Sequence, residues 1–200
     1  MTVEAARLAW LRSIYDFTRQ HGQGPNATDL AKVHGTSRQA QNQRILALAS
    51  VGMIQLPHAR KGQNHPMIAR LSPMAMFELN IAPVVYLAWP ASFTDDGTWL
   101  REDDGGADAA RWLFEASGIS ALSPYVAGWP HRSIEHGIQL AERSDAVVVV
   151  DDPLLLGRAD VASAMGIGLS ISVVRRQDRS GVRSATDLWT PPLLLPGGLK

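Results

Sequence analysis

The stretch Asp145-Ala146-Val147-Val148-Val149-Val150-Asp151-Asp152 constrains the fold more than any other in the chain. Its apolar residues run without a polar interruption between acidic ends, so both faces of the segment must be covered. That is the condition of a buried strand in a parallel sheet rather than of a half-solvated antiparallel one. Val84-Val85-Tyr86-Leu87-Ala88 has the same character, Ile119 to Leu122 reads as a short further strand, and Leu169 to Val174 is another β-rich run. Helical spacing fills the intervals. Asp108 to Ser117 places Ala110, Leu113 and Phe114 inward, Ser133 to Arg143 places Ile134, Ile138 and Ala141 inward, and a third helix runs from Ala159 to about Gly166. Strands alternating with helices predict an α/β fold with a Rossmann-like parallel sheet and right-handed crossovers over residues 84–200. Ligands of such sheets bind beyond the carboxyl ends of the strands. Here those ends are Ala88-Trp89-Pro90, Asp151-Asp152 and the loop before Asp160.

Residues 1–73 differ in charge and in pattern. They carry nine Lys/Arg against three Asp/Glu, whereas residues 74–200 carry ten against sixteen, so a chain of formal net charge zero divides into a basic part of +6 and an acidic part of −6. Such a division suggests that the first part faces a polyanion, although it also serves solubility. Leu8, Leu11, Ile14, Tyr15 and Thr18 recur at helical steps, and the helix stops at His21-Gly22-Gln23-Gly24-Pro25. Asn26 stands at an N-cap with Asp29 three residues on, and Leu30, Ala31 and Val33 give a short helix its apolar face before Gly35 ends it. Ser37 caps a third helix, Arg38 to Val51, with Ala40, Ile45, Leu48 and Ala49 as its inner stripe and Arg38, Gln39, Asn42, Gln43 and Arg44 outside. Met53 to Leu56 and Met67 to Leu71 read as strands around a polar loop, Pro57 to Pro66, that carries Arg60 and Lys61.

Helix, short helix, turn, helix and a basic-tipped hairpin is the order of a winged helix-turn-helix, in which the second helix of the pair enters the major groove. Gln and Asn can hydrogen-bond adenine edges in pairs, and Arg serves guanine or phosphate. The segment SRQAQNQRILALASVGMIQL, preceded by GPNATDLAKVHG, resembles the winged-helix domain of the LexA family of SOS repressors. The resemblance runs from Gly24 to about Leu56 and implies double-stranded DNA as a partner. It implies base reading at Ser37, Gln39, Asn42 and Gln43, with Arg38 and Arg44 beside them and Arg60 and Lys61 in the wing. The family's self-cleaving protease domain has no counterpart here. One such module contacts few base pairs, so a homodimer or higher homo-oligomer is expected. Residues 74–83 form a connector, brief helix or extended, whose Met, Phe, Leu and Ile make it packed rather than a free tether.

Several classes of chemistry lack their residues. There is no cysteine, which removes disulfides, zinc–thiolate sites and thiol nucleophiles. No GxGxxG or GxxxxGK[ST] is present, and Gly166-Ile167-Gly168 reads as a helix cap. His131 and His136 are not at metal-ligand spacing, so neither a metal nor a cofactor is expected. Without a signal peptide or a bilayer-length apolar run, the chain reads as cytoplasmic with no membrane partner. VVYLAWP, SDAVVVVDDP and GRADVASAMGIGLSISVV together resemble the nucleoside 2-deoxyribosyltransferase-like superfamily, with Asp160, Ala164 and Gly168 at the family's spacing and Tyr86 at its first-strand tyrosine. The resemblance implies a nucleoside or nucleotide pocket, a carboxylate (Asp160) below the sugar and Tyr86 positioning it. Active members use a Glu to attack the anomeric carbon. Asp160 is one methylene shorter, and the supporting Asp of the preceding helix has no match. Trp89, Asp151 and Asp152 complete the candidate ligand site. Trp99, Trp112 and Trp129 offer further aromatic faces, for a base or for sealing the sheet.

Three readings follow. The first is a DNA-binding transcriptional regulator whose α/β domain binds a nucleoside- or nucleotide-like ligand or mediates assembly. The second is a deoxyribosyltransferase or N-glycosidase with Asp160 as nucleophile. The third is a non-catalytic interaction module. The tail TPPLLLPGGLK is expected to dock on a neighbouring surface.

Overall fold

The computed structural model describes residues 2–56, 68–89, 105–122, 134–150, 153–183 and 185–189. It opens with three helices, α1 (Val3–His21), α2 (Ala27–His34) and α3 (Arg38–Ser50), followed by the antiparallel pair β1 (Ile54–Gln55) and β2 (Arg70–Leu71). Local chemistry sets each boundary. Thr2 caps α1 by accepting from the Ala5 amide. Asn26 and Asp29 form a reciprocal capping box on α2, and Ser37 caps α3 through the Ala40 amide. Gly35 ends α2 at φ 62°, a left-handed conformation that a side chain would oppose, and so permits the tight turn into α3. Gly24 has a different reason. A Cβ there would lie 2.1 Å from the Ala69 carbonyl oxygen, because the Ala69 amide donates to Pro25 O at 2.8 Å and draws the two segments together.

Trp10, Leu11, Ile14, Leu30, Ile45, Ile54 and Leu71 form the core of this unit. The inner face of α3 differs from the expected stripe. Gln41 and Ile45 are buried, with Leu48 and Ala49 packed behind them, whereas Ala40 is exposed. The physical reason is a partner far away in sequence. The Trp10 indole N–H donates to Gln41 Oε1 at 2.8 Å, and Gln41 Nε2 donates to Thr36 Oγ1 at 2.7 Å. A buried carboxamide satisfied at both ends is cheap to bury, and it fixes the rotation of the helix. Val33, expected inward, is 54% exposed, since Ala27 and Leu30 already fill the space beneath α2.

The connector is a helix, α4 (Pro73–Glu78), capped by Ser72 and started by a proline at its first turn. Ala75 and Met76 enter the helical core, while Phe77 packs on the sheet beside Trp189.

The remainder is β3 (Val84–Ala88), α5 (Gly105–Ser117), β4 (Ser120–Leu122), α6 (Ile134–Arg143), β5 (Ala146–Val150), α7 (Ala159–Gly166), β6 (Ser170–Val174) and α8 (Ala185–Trp189), with 3-10 turns at Pro153–Gly157 and Arg176–Gly181. The strands form one parallel sheet in the order β4-β3-β5-β6, an α/β architecture as the residue pattern predicts. Tyr86 pairs with Val147 and Ala88 with Val149. All five residues of β5 are fully buried. Val85, Leu87, Val148 and Val150 face Ala109 and Leu113 of α5 and Leu188 of α8. Tyr86, Ala88, Val147 and Val149 face Ala141 of α6 and Val161 and Ala164 of α7. Small residues make the close approaches. On α5, Ala109 and Leu113 are buried while Phe114, expected inward, is 59% exposed. On α6, Gly137 and Ala141 are buried, whereas Ile134 and Ile138 flank the contact half-buried. Among the described residues, no helix is long and apolar enough to cross a membrane.

Candidate functional site

The strand order reverses between β3 and β5, because the chain adds β4 on one side of β3 and then returns to the other. Such a reversal opens a crevice at the carboxyl ends of the strands. Tyr86 points from β3 toward α7, and Asp160 lies in the first turn of α7. The Tyr86 hydroxyl donates to Asp160 Oδ2 at 2.5 Å, and both residues are fully buried. The structure therefore joins these two candidates.

It also adds a third residue that sequence reasoning missed. Arg158, immediately before α7, donates from Nε to Asp160 Oδ1 and from Nη2 to Oδ2, each at 2.8 Å. Its Nη1 donates to the Trp89 carbonyl at 2.6 Å, across the end of β3. The Val161 amide supplies another bond to Oδ1 at 2.9 Å. Each carboxylate oxygen thus accepts two hydrogen bonds, one of each pair from a guanidinium. This is the paired condition that allows a buried carboxylate to exist, but it lowers the carboxylate's reactivity as a nucleophile. The signal in sequence was the Arg-Ala-Asp triplet at a helix start, which without the fold reads as solvated surface charge.

Trp89 is half-buried and the Arg179 guanidinium lies over its ring, 5.5 Å from the centroid, and 5.2 Å from that of Trp112. Asp151, Asp152, Trp99, Trp129 and His131 lie outside the described residues, as does the terminal Leu193-Leu194-Leu195 segment. Among the described residues no group of three or more His, Asp or Glu is placed to hold a metal ion.

On α3, Arg38, Gln39 and Gln43 are exposed, Asn42 is half-buried, and Ser37 is exposed with its hydroxyl engaged as the cap. Arg44 is turned toward α1: its guanidinium lies 5.0 Å from the Trp10 ring centroid and donates to Ala6 O at 3.3 Å. It thereby stands apart from the other polar residues. Burial, and then the Arg44 charge, lower the pKa of His34, whose Nε2 lies 2.9 Å from Ser13 Oγ. Arg60 and Lys61 lie outside the described residues.

The helical unit meets the sheet at the amino ends of its strands. Gln55 Nε2 donates to Leu71 O at 2.6 Å and to Asp145 O at 3.0 Å, and its Oε1 accepts from the Ser170 amide. One buried carboxamide therefore ties β2, the start of β5 and the start of β6 together. Beside it, Asp145 Oδ2 accepts from the Val84 amide at 2.8 Å. Burial raises the Asp145 carboxyl above the usual carboxylate range, opposed by that amide and by the Arg70 and Arg19 charges. No protein-family model matches the chain, and no curated protein or solved structure matches it significantly.

Proposed function

We propose that this protein is a DNA-binding transcriptional regulator, with the first helical unit acting as a winged helix and the Rossmann-like sheet unit binding a nucleoside- or nucleotide-like ligand or holding a second copy. The observation that carries the reading is the outward face of α3. Gln41 is drawn inside by Trp10, which leaves Arg38, Gln39 and Gln43 together on the exposed side of a helix that follows a tight turn. Those side chains suit base edges and phosphates, and the unit that carries them has a +6 charge. A homodimer would set the spacing of two such helices on a palindrome.

The test is binding of the whole protein to random duplex DNA across a salt series. Affinity should fall steeply with salt, because phosphate contacts release counterions, and Arg38→Ala should flatten the slope by about one counterion. Absent or salt-independent binding at low salt would reject the reading.

A second reading, glycosyl transfer or N-glycosidic hydrolysis, is favoured by one observation, the Tyr86–Asp160 contact. It requires Asp160 to give up Arg158 before attacking an anomeric carbon. Base exchange or nucleoside hydrolysis by the unmodified chain, lost in Asp160→Asn, would support it. Failure of both DNA and nucleoside assays would favour an interaction module.

A further inference from the structure

A cleft of about 290 Å³ opens between α1, β2 and the amino ends of the sheet, with Arg19, Arg70 and Arg143 in its wall. Arg19 and Arg143 are exposed and Arg70 is half-buried. Among the described residues, none of the three guanidiniums donates a hydrogen bond or lies within ion-pair distance of a carboxylate, although the Asp145 and Glu142 charges attract Arg70. Two acids share the wall, but each has an oxygen engaged elsewhere. Asp145 accepts from the Val84 amide, and Glu142 accepts from the Ser163 hydroxyl at 2.6 Å. The cations therefore outnumber the acids. Tyr15, Met76, Ile81 and Leu169 supply an apolar part of the lining.

We propose that this cleft binds a small anion with a phosphate or carboxylate group, held by Arg70 with Arg19 and Arg143 beside it. A guanidinium presents a planar fork of donors that matches either head group, and a half-buried one forms stronger bonds than one in bulk water. The volume lies at the small end of the range for ligand pockets, which excludes a large ligand. Burial keeps the Asp145 carboxyl less readily ionised than usual, which weakens its repulsion of an anion. The site is separate from Asp160, at the opposite ends of the strands, and does not depend on the DNA-binding reading.

Calorimetric titration of the full chain with inorganic phosphate, pyrophosphate, adenosine 5'-monophosphate and citrate tests this. At least one should bind saturably with one site per chain. Affinity should fall about tenfold in Arg70→Gln and in Arg143→Gln, and stay unchanged in Arg175→Gln, at an exposed position just beyond the carboxyl end of β6. Binding by citrate alone assigns a carboxylate head group, and binding by the phosphates alone assigns a phosphate. No binding by any of the four, or equal binding by the Arg143→Gln and Arg175→Gln variants, overturns the proposal. Arg19 and Arg143 are exposed, so Arg19→Gln and Arg143→Gln decide the matter even if Arg70→Gln does not fold.

Discussion

The two ends of the parallel sheet are finished in opposite ways. At the carboxyl ends of β3 and β5 the cations are engaged: Arg158 with Asp160 and the Trp89 carbonyl, and Arg179 between two indoles. At the amino ends the closing contact is a neutral carboxamide, Gln55, and the guanidiniums of Arg19, Arg70 and Arg143 line the cleft without hydrogen-bond partners among the described residues. Ligands of open α/β sheets usually bind at the carboxyl ends. Here, among the described residues, Arg158 and Asp160 at that end satisfy each other, so the pair holds the structure together. The difference teaches that the location of charge in such a fold says less about chemistry than whether that charge is already satisfied.

The comparison can be broken most forcibly at Asp160. Asp160→Ala removes the Asp160 carboxylate from a guanidinium that is only 9% exposed. The expected loss is about 3–5 kcal/mol of unfolding free energy, measured by urea denaturation. The double change Arg158→Met with Asp160→Leu should restore much of it, since no orphaned charge remains. A loss below about 1 kcal/mol for Asp160→Ala would place the pair among ordinary surface bridges and erase the contrast.

A smaller effect is expected at the other end. Gln55→Leu leaves the Ser170 amide and the Asp145 carbonyl without their partner, for an expected loss of about 1–3 kcal/mol. Hydrogen exchange at the Ser170 amide should speed up together with that loss, while protection within β5 should change less. Unchanged exchange at Ser170 would show that Gln55 is not what joins the units.

Asp145→Asn should have the smallest effect and reverses the usual sign. Burial raises this carboxyl above its ordinary 3.8, so the folded chain holds the proton more tightly than the unfolded chain does. The stability associated with that proton is complete below 3.8 and is lost as pH rises through the folded pKa. An Asn keeps an oxygen for the Val84 amide and carries no charge to bury. The variant should therefore match the parent in acid and equal or exceed it near neutral pH, as thermal unfolding at the two pH values would reveal. A variant that is weaker only at neutral pH would mean that attraction to Arg70 outweighs burial.

Much of the architecture was legible because local chemistry set it. The aliphatic run of β5, the caps at Asn26 and Ser37 and the stop at Gly35 need no distant partner to be read. What sequence reasoning missed depended on partners far along the chain. Gln41 looks like a surface residue until Trp10, 31 positions away, supplies its hydrogen bond. Phe114 looks like core until the helix is seen to approach the sheet through Ala109. At the candidate site, the Tyr86–Asp160 pairing followed from a family resemblance. Arg158 did not, because nothing in an Arg-Ala-Asp triplet says that it will be buried.

The Gln55 contact also has a consequence for the order of synthesis. Its partners Asp145 and Ser170 lie 90 and 115 positions later in the chain. At translation rates of about 5–20 residues per second, Gln55 is made roughly 6–23 s before the last of them. Through that interval water must serve the Gln55 amide, and the earlier unit must hold its shape on its own core, which includes Trp10, Leu11, Ile14, Leu30 and Ile45. The nascent sheet is thus delivered to a neighbour already in place, and its last two strands, β5 and β6, are aligned by a side chain that was waiting for them.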